Sequence, residues 1–332
     1  MNFEYLETYV LVYFLVKGGG GKTTDTHATA TGINRGEAAF NAGSEVRRIK
    51  LNRKQFITNL IETEKYSEEE AEKAHKTALR EAQRALADKL KNPPQNSIYR
   101  PLAIDLNDQA SLTHVYGLQK NSLPTAFDVL KGDVPIEKAI VQTPHGYILP
   151  GGSNLNFLAT TAPDYLTVVK SLRPKIIDKI ARFFFPIVID TSPNQNDVAN
   201  DIALTAADGV VIPTNAEEFG KEGFVDALEK IERIKALNST LETLGVLMNR
   251  FSEIDIVNQD VIEEMKEAAA KYGTNVFDTY IRECATVRKA QRVKQPIYDF
   301  DEVGDTATAD YLAFFKELLD KNERLRCPKI IN

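Results

Sequence analysis

The sequence predicts an α/β protein with a mostly parallel sheet flanked by helices on both faces. Short apolar segments alternate along the chain with longer helical patterns, and this alternation is typical of parallel sheets. Strands are predicted at 8–16, 99–106, 147–149, 184–190, 209–213 and 244–249, and helices at 23–42, 67–91, 165–182, 217–236, 257–272 and 306–322. The chain has 332 residues, of which 43% are hydrophobic and 27% charged, so it can bury the core that such a sheet requires.

A glycine-rich segment follows the first apolar run. Residues 17–24 read Lys-Gly-Gly-Gly-Gly-Lys-Thr-Thr, which predicts the strand, loop and helix start of a phosphate-binding loop. Glycines allow backbone N–H groups to surround an anion, and the helix N-terminus adds a partial positive charge. The predicted ligand is a nucleoside triphosphate, held by Gly18, Gly19, Gly20, Gly21, Lys22, Thr23 and Thr24, with Lys22 at the β- and γ-phosphates and Thr23 at Mg²⁺.

Lys17 gives this loop an unusual form. The ordinary G-x-x-x-x-G-K-T pattern would require glycine at Val16, whereas this chain matches K-G-G-x-G-K-T. The alternative is a flexible linker, but a linker is not expected between an apolar strand and Lys-Thr-Thr.

Two predicted strands end in aspartate, Asp105 and Asp190. In open α/β sheets, ligands bind at the carboxyl ends of the strands, so both carboxylates are expected near the glycine loop. Either aspartate alone is equally well explained as a helix N-cap. Together with the loop they predict a hydrolysis centre, with Thr23, Asp105 and Asp190 as candidate Mg²⁺ ligands.

The segment between the loop helix and the next strand is rich in charge. Within it, residues 67–91 carry alanine and leucine at helical spacing, and Ser67 with Glu70 forms a capping box. These features predict one long amphipathic helix that ends before Pro93. The narrow alanine stripe favours a helix on the domain surface, and a partner-binding or self-association role is the alternative.

Composition narrows the class of protein further. A net charge of −6 argues against a globally basic nucleic-acid binder, so any DNA contact requires a local patch. The two cysteines are too few for a disulfide framework, and the four histidines lack metal-ligand spacing. The apolar runs are too short for a membrane span. We therefore expect a cytoplasmic protein without structural metal or membrane association.

Several segments occur in the order found in the ParA partition ATPases of the MinD/ParA superfamily. They are the deviant loop 17–24, Ile-Asp-Leu-Asn-Asp-Gln at 104–109, Phe-Asp-Val-Leu-Lys-Gly at 127–132, Leu-Pro-Gly-Gly-Ser-Asn-Leu at 149–155, Ile-Asp-Thr-Ser-Pro at 189–193, Ala-Ala-Asp-Gly-Val-Val-Ile-Pro at 206–213, and 287–299. The chain resembles this family everywhere except at 44–97. The resemblance implies a P-loop NTPase fold, with 1–332 as a single ATPase domain and 44–97 as a charged helical insertion.

The resemblance also implies roles for individual residues. Lys17 would be the signature lysine that reaches the partner's phosphates across an ATP-bound homodimer. Lys22, Thr23 and Thr24 would bind phosphate and Mg²⁺, and Asp190 would hold Mg²⁺ through water. Asn249, at the end of a predicted strand, would read adenine, although a strand-end cap is the alternative. ATP and Mg²⁺ are thus the implied cofactors.

The chain departs from the family at a catalytic position. Family members usually show Asp-x-Asp-Pro-Gln, whose second aspartate positions the attacking water, but here Asn107 stands there, followed by Asp108. An amide cannot accept a proton as a carboxylate does. Hydrolysis is therefore expected to be slow unless Asp108 takes over this role.

A basic stretch near the C-terminus is the candidate DNA-binding surface. It contains Arg282, Arg288, Lys289, Arg292 and Lys294, and a solvated helix face is the alternative. The resemblance implies nonspecific double-stranded DNA and a ParB-type centromere-binding protein as partners, and a location at the nucleoid.

Two rival functions remain open from the sequence. One is a MinD-like membrane-associated positioning ATPase, which would use 306–325 as a membrane helix. The other is a nucleotide-gated DNA-binding module with little hydrolysis, which Asn107 makes credible.

Overall fold

A seven-stranded sheet forms the centre of the molecule. The computed structural model describes residues 5–16, 19–91, 99–155, 158, 164–194, 197–216, 223–252, 257–300, 306–326 and 330–331. The strands are β1 Tyr5–Leu6, β2 Val10–Tyr13, β3 Leu102–Leu106, β4 Val141–Thr143, β5 Gly146–Leu149, β6 Ile187–Thr191, β7 Gly209–Thr214, β8 Glu242–Met248 and β9 Ile330–Ile331. The main sheet has the order β4-β5-β3-β6-β2-β7-β8, while β1 and β9 pair separately and antiparallel.

All neighbouring strands of the main sheet are parallel except β4, which pairs antiparallel with β5. Side chains alternate between two apolar cores, as the period of a strand requires. In β2, for example, Val10 and Val12 belong to one core, whereas Leu11 and Tyr13 belong to the other. The predicted sheet with helices on both faces is confirmed.

The helices account for most of the remaining described residues. They are Lys22–Gly32, Glu37–Leu51, Arg53–Thr63, Glu68–Lys91, Ser111–Val115, Ala126–Lys131, Ile136–Ala139, Tyr165–Val169, Asp178–Ile180, Val198–Ala206, Gly223–Lys235, Val257–Lys271, Ala285–Val293, Ile297–Phe300, Thr306–Lys321 and Glu323–Arg326. A 3-10 turn, Ile33–Arg35, and a π-helical turn, Arg173–Ile177, complete them. We call Lys22–Gly32 the loop helix, Ala285–Val293 the basic helix and Thr306–Lys321 the closing helix.

Two predicted helices are shorter than the sequence indicated. The helix expected at 23–42 ends at Gly32, as the loop helix. A second helix, Glu37–Leu51, starts after Gly36. Gly36 has a φ of 83°, which favours glycine and breaks the helical path. The helix expected at 165–182 is also interrupted, because the turn Arg173–Ile177 follows Tyr165–Val169 and carries a proline near its start.

The predicted insertion, 44–97, contains two helices on the surface, Arg53–Thr63 and Glu68–Lys91. Its predicted boundary at Ser44 lies inside the helix Glu37–Leu51, so the first wholly inserted helix is Arg53–Thr63, which buries none of its side chains. The predicted long helix is confirmed as Glu68–Lys91, and the Ser67–Glu70 capping box forms. Its buried residues form a narrow stripe of Ala71, His75, Leu86 and Leu90. A role of the helix Glu68–Lys91 in partner binding or self-association stays a prediction.

The closing helix is docked on the core rather than presented to a surface. Phe314 and Phe315 are fully buried, as are Leu312 and Leu318 to within 1%. These are the side chains that a membrane helix would insert, so this geometry does not favour the MinD-like alternative. Within the described part of the chain, every helix is too short or too polar to cross a membrane.

Candidate nucleotide site

The glycine loop leads from the end of β2 into the loop helix. Gly19 and Gly21 have φ values of 98° and 101°, which side chains other than glycine rarely adopt. Gly20 lies against β7, because a Cβ at this position would come within 2.8 Å of the Pro213 carbonyl oxygen. The backbone therefore requires glycine for both conformation and space. Lys17, predicted to be catalytic by reaching the partner's phosphates, and Gly18, predicted to bind nucleotide, lie outside the described residues.

The first residues of the loop helix meet β6. Lys22 is 6% exposed at the N-terminus of the helix, and the Thr23 hydroxyl donates a hydrogen bond to Asp190 Oδ2 at 2.7 Å. Asp190 is fully buried, and its Oδ1 has no hydrogen-bond partner among the described residues. Burial, followed by repulsion from Asp105, raises the pKa of Asp190 to about 8. The hydrogen bond from Thr23 and the positive charge of Lys22 partly offset this increase in the pKa.

Asp105, which the sequence also predicts as a Mg²⁺ ligand, is held by three hydrogen bonds within the chain. Its Oδ2 accepts hydrogen bonds from Thr113 N at 2.8 Å and Thr113 Oγ1 at 2.7 Å, and its Oδ1 accepts from Asn107 N at 3.0 Å. These three donors leave Asp105 less capacity to accept a metal ion than Asp190, whose Oδ1 has no hydrogen-bond partner among the described residues. It holds segment 107–113 at the edge of the sheet instead, although burial raises its pKa to about 6.

Asn107 and Asp108 follow β3 as predicted. Asn107 is 4% exposed, and its Oδ1 accepts a hydrogen bond from Gln109 N at 3.0 Å, which closes a local turn. Asp108 is half-buried, and its carbonyl oxygen accepts a hydrogen bond from Lys120 Nζ. Both residues thus lie at the carboxyl edge of the strands, where the sequence placed the catalytic group.

Asn249 lies directly behind the glycine loop. Its Nδ2 donates to Gly20 O at 2.8 Å and to Asp25 Oδ2 at 2.7 Å. The other Asp25 oxygen accepts from the Tyr311 hydroxyl at 2.7 Å, so the closing helix also reaches the loop. Burial raises the pKa of Asp25 to about 7. Asn249 therefore supports the glycine loop.

A cavity of about 350 Å³ opens beside this network. The glycine loop forms one wall, through Gly19, Gly21 and Thr24, and the basic helix forms another, through Val287, Arg288 and Gln291. Gln291 Nε2 donates to the Thr24 hydroxyl at 2.6 Å. The cavity thus joins the phosphate loop to the predicted DNA-binding segment.

Arg282, one of the predicted DNA-binding residues, is buried. It is 9% exposed, and its Nε and Nη2 donate to Asp310 at 2.9 and 2.7 Å, while Arg47 pairs with the same carboxylate at 2.5 Å. A buried, bidentate guanidinium cannot contact DNA phosphates without breaking this ion pair. In contrast, Arg288, Lys289 and Arg292 are exposed on the basic helix, and Lys294 is half-buried at its end.

Three further residues at this site, Asp25, Tyr311 and Gln291, were not predicted from the sequence. Asp25 immediately follows Lys-Thr-Thr, and an acidic residue in the first turn of a helix is ordinarily explained by the helix dipole. Tyr311 and Gln291 come from distant segments, and their spacing along the chain carries no signal that they meet the loop.

Sequence comparison detects relatives of this chain. A family model described as an AAA domain matches residues 82–243. An uncharacterised protein of Pseudomonas putida is 29% identical over 229 residues, which cover 68% of this chain and 85% of the relative. The chromosome partitioning protein ParA of Caulobacter vibrioides is 28% identical over 231 residues, which cover 67% of this chain and 83% of the relative.

Solved structures share the fold. Apo McdA of a Cyanothece species superposes with a TM-score of 0.62 at 19% identity, covering 94% of this chain and 99% of McdA. A plasmid partition protein of Borrelia burgdorferi bound to AMPPNP gives 0.59 at 18% identity, with 95% and 98% covered. MinD of Pyrococcus horikoshii with Mg-ADP gives 0.55 at 21% identity, with 92% and 94% covered.

Proposed function

Because the chain belongs to the ParA family of the MinD/ParA superfamily of ATPases, we propose that it is an ATP-switched DNA partition ATPase. In this proposal ATP joins two copies into a homodimer, and the dimer binds nonspecific DNA. A ParB-type partner then stimulates hydrolysis and release, and the cargo is a plasmid or chromosome segment. The observation that carries the proposal is the hydrogen bond from Thr23 to Asp190 at the start of the loop helix.

The residues at this point fit Mg²⁺. Thr23 Oγ1 and Asp190 offer the hard oxygen atoms that Mg²⁺ prefers, and Asp190 Oδ1 is buried without a hydrogen-bond partner among the described residues. When bound, Mg²⁺ would neutralise phosphate charge. Thr23 and Asp190 would hold it, directly or through water.

The chain's own groups supply the remaining parts of a phosphoryl-transfer site. Lys22 contributes a positive charge at the N-terminus of the loop helix, where backbone N–H groups also favour an anion. Segment 107–108 lies at the same edge of the sheet, since Asp105 and Asp190 are paired neighbours in β3 and β6. Asn107 or Asp108 would orient the attacking water.

The basic helix supports the DNA part of the proposal. Its exposed cations, Arg288, Lys289 and Arg292, lie on one short helix of an acidic protein. The helix also contacts the phosphate loop through Gln291 and Thr24, so a bound nucleotide and this surface share one element. Contacts with phosphates, rather than base reading, are expected here because the segment lacks interleaved aromatic residues.

The test is ATP-dependent binding of nonspecific duplex DNA, measured by fluorescence anisotropy at several salt concentrations. The double variant Lys289→Glu/Arg292→Glu should weaken binding roughly tenfold or more and flatten the salt dependence, since each lost phosphate contact lowers the slope by about one. Arg288 is kept intact because it lines the cavity. ATP turnover without DNA should stay unchanged.

The control is Lys266→Glu, which reverses one charge on the helix Val257–Lys271, packed against the other apolar core. It should leave DNA binding near the wild-type value. A wild-type protein that binds DNA equally with and without ATP, or a double variant that behaves like Lys266→Glu, contradicts the proposal.

A further inference from the structure

The side-chain amide of Asn249 has a fixed orientation. Its Nδ2 donates to the Gly20 carbonyl oxygen at 2.8 Å and to Asp25 Oδ2 at 2.7 Å. The Gly20 carbonyl oxygen is an acceptor only, so the amide nitrogen, and not the oxygen, has to face it. Both amide hydrogens are used in this way.

No described residue donates a hydrogen bond to the amide oxygen. Asn249 is 4% exposed, and its Oδ1 has no hydrogen-bond partner among the described residues. A buried acceptor without a donor is unfavourable, and such atoms in native proteins usually require an explanation. Because Asn249 lines the cavity beside the glycine loop, a donor group of a ligand in that cavity would provide one.

Asp25 is what fixes the amide. It is fully buried, and Tyr311 of the closing helix holds its Oδ1 at 2.7 Å while its Oδ2 faces Asn249. Without an acceptor at this position, only the Gly20 carbonyl would hold the amide nitrogen, and turning the amide would become much less costly.

We infer that Asp25 is a positioning residue for base selection, which keeps Asn249 Oδ1 as an acceptor for the 6-amino group of a purine. In the same seating, a purine with a 6-carbonyl would place an acceptor against an acceptor and would be rejected. This inference rests on the proposed function, because it assumes that the cavity takes the base of a nucleoside triphosphate.

The decisive comparison is between ATP and inosine triphosphate, which carries a carbonyl in place of the 6-amino group. Dissociation constants with Mg²⁺ are measured by competition against a fluorescent ATP analogue, on a time scale shorter than turnover. Wild type should prefer ATP by at least roughly tenfold, and Asp25→Ala should reduce that ratio by roughly tenfold, the effect of one hydrogen bond together with its mismatch.

Two further variants separate positioning from general support of the loop. Asp25→Asn keeps an oxygen that accepts from Asn249, so it should retain most of the preference for ATP. Tyr311→Phe removes only the hydrogen bond on the other carboxylate oxygen, so it should retain it as well. If Asp25→Ala does not fold, as judged by thermal unfolding, Asp25→Val takes its place, because it fills the same space without an acceptor.

The possible outcomes distinguish the proposed function from the positioning role of Asp25. A wild-type protein that binds neither nucleotide overturns the proposed function and the inference with it. A wild type that binds both equally, or an Asp25→Ala or Asp25→Val variant that weakens both by the same factor, leaves the proposed function standing and overturns the role of Asp25.

Discussion

At the scale of single residues, we expect Asn107 to limit how fast this protein hydrolyses ATP. Its backbone N–H and its side-chain oxygen are both used locally, by Asp105 and Gln109 respectively. A carboxylate at 107 could accept the same hydrogen bond from Gln109, so Asn107→Asp preserves the turn. The substitution therefore changes the chemistry at this position and not the backbone.

We expect Asn107→Asp to raise ATP turnover by about tenfold or more, because a positioned general base commonly contributes about 10²–10⁴-fold. Steady-state phosphate release with DNA and the partner protein measures it. Asp108→Ala is the matched control and should leave the rate unchanged. The opposite pattern assigns the role to Asp108, and no effect from either variant removes segment 107–108 from the catalytic centre.

His27 makes the fold sensitive to acid. The residue lies in the loop helix with its ring edge-on to Tyr116, at 5.1 Å between centroids, and its Nε2 has no hydrogen-bond partner among the described residues. Burial lowers the pKa of His27 from 6.5 to about 3. The unfolded chain therefore binds a proton between these values that the folded chain does not, and stability falls as the pH drops through this window.

His27→Phe should remove this dependence. The difference in unfolding free energy between wild type and variant should change by up to about 1.4 kcal/mol per pH unit below pH 6.5, in favour of the variant. Urea denaturation at pH 7, 6 and 5 measures it. Taking the difference cancels the opposite contribution of Asp25 and Asp190, whose pKa values are raised. A constant difference across this range contradicts the neutral, buried state of His27.

At the scale of elements, the sequence predicted the central strands because they are buried on both faces. Apolar runs such as Ile187–Thr191 and Gly209–Thr214 are typical of strands that are buried on both faces of a parallel sheet. β4 was missed because it is short and half-exposed, and an edge strand carries a weak apolar signal. Several short helices were missed for a similar reason, since fewer than two turns give no periodicity to detect.

At the candidate site, too, some residues could be predicted from the sequence and others could not. Residues at strand ends, such as Asp190 and Asn107, were predicted because the topology of a parallel sheet gathers them at one edge. The buried state of Arg282 was not predictable, because its partners Asp310 and Arg47 come from distant helices. Charge in a sequence shows only that a cation is present, whereas tertiary packing decides whether it reaches solvent.

At the scale of the whole molecule, the closing helix ties the nucleotide site to the rest of the chain. Its Tyr311 bonds Asp25 behind the phosphate loop, and its neighbour Asp310 pairs with Arg282 and Arg47. Because these contacts are buried, one helix holds the glycine loop, the base of the basic helix and the second helix, Glu37–Leu51, in a fixed relation. The closing helix therefore connects the glycine loop directly to the start of the basic helix.

The proposed switch also needs a contact between two molecules, and Lys17 is its expected source. We expect Lys17→Ala to bind ATP with nearly wild-type affinity and to fail to dimerise on a nonhydrolysable ATP analogue, since only a dimer would bring this lysine to the partner's phosphates. Sedimentation velocity with the analogue and Mg²⁺ measures the oligomeric state, and a binding titration measures affinity. Lys22→Ala is the comparison, because Lys22 begins the loop helix within its own chain and its loss should weaken nucleotide binding itself. If Lys17→Ala dimerises like wild type, or loses nucleotide affinity as Lys22→Ala does, then Lys17 acts within its own chain and the dimer depends on other residues.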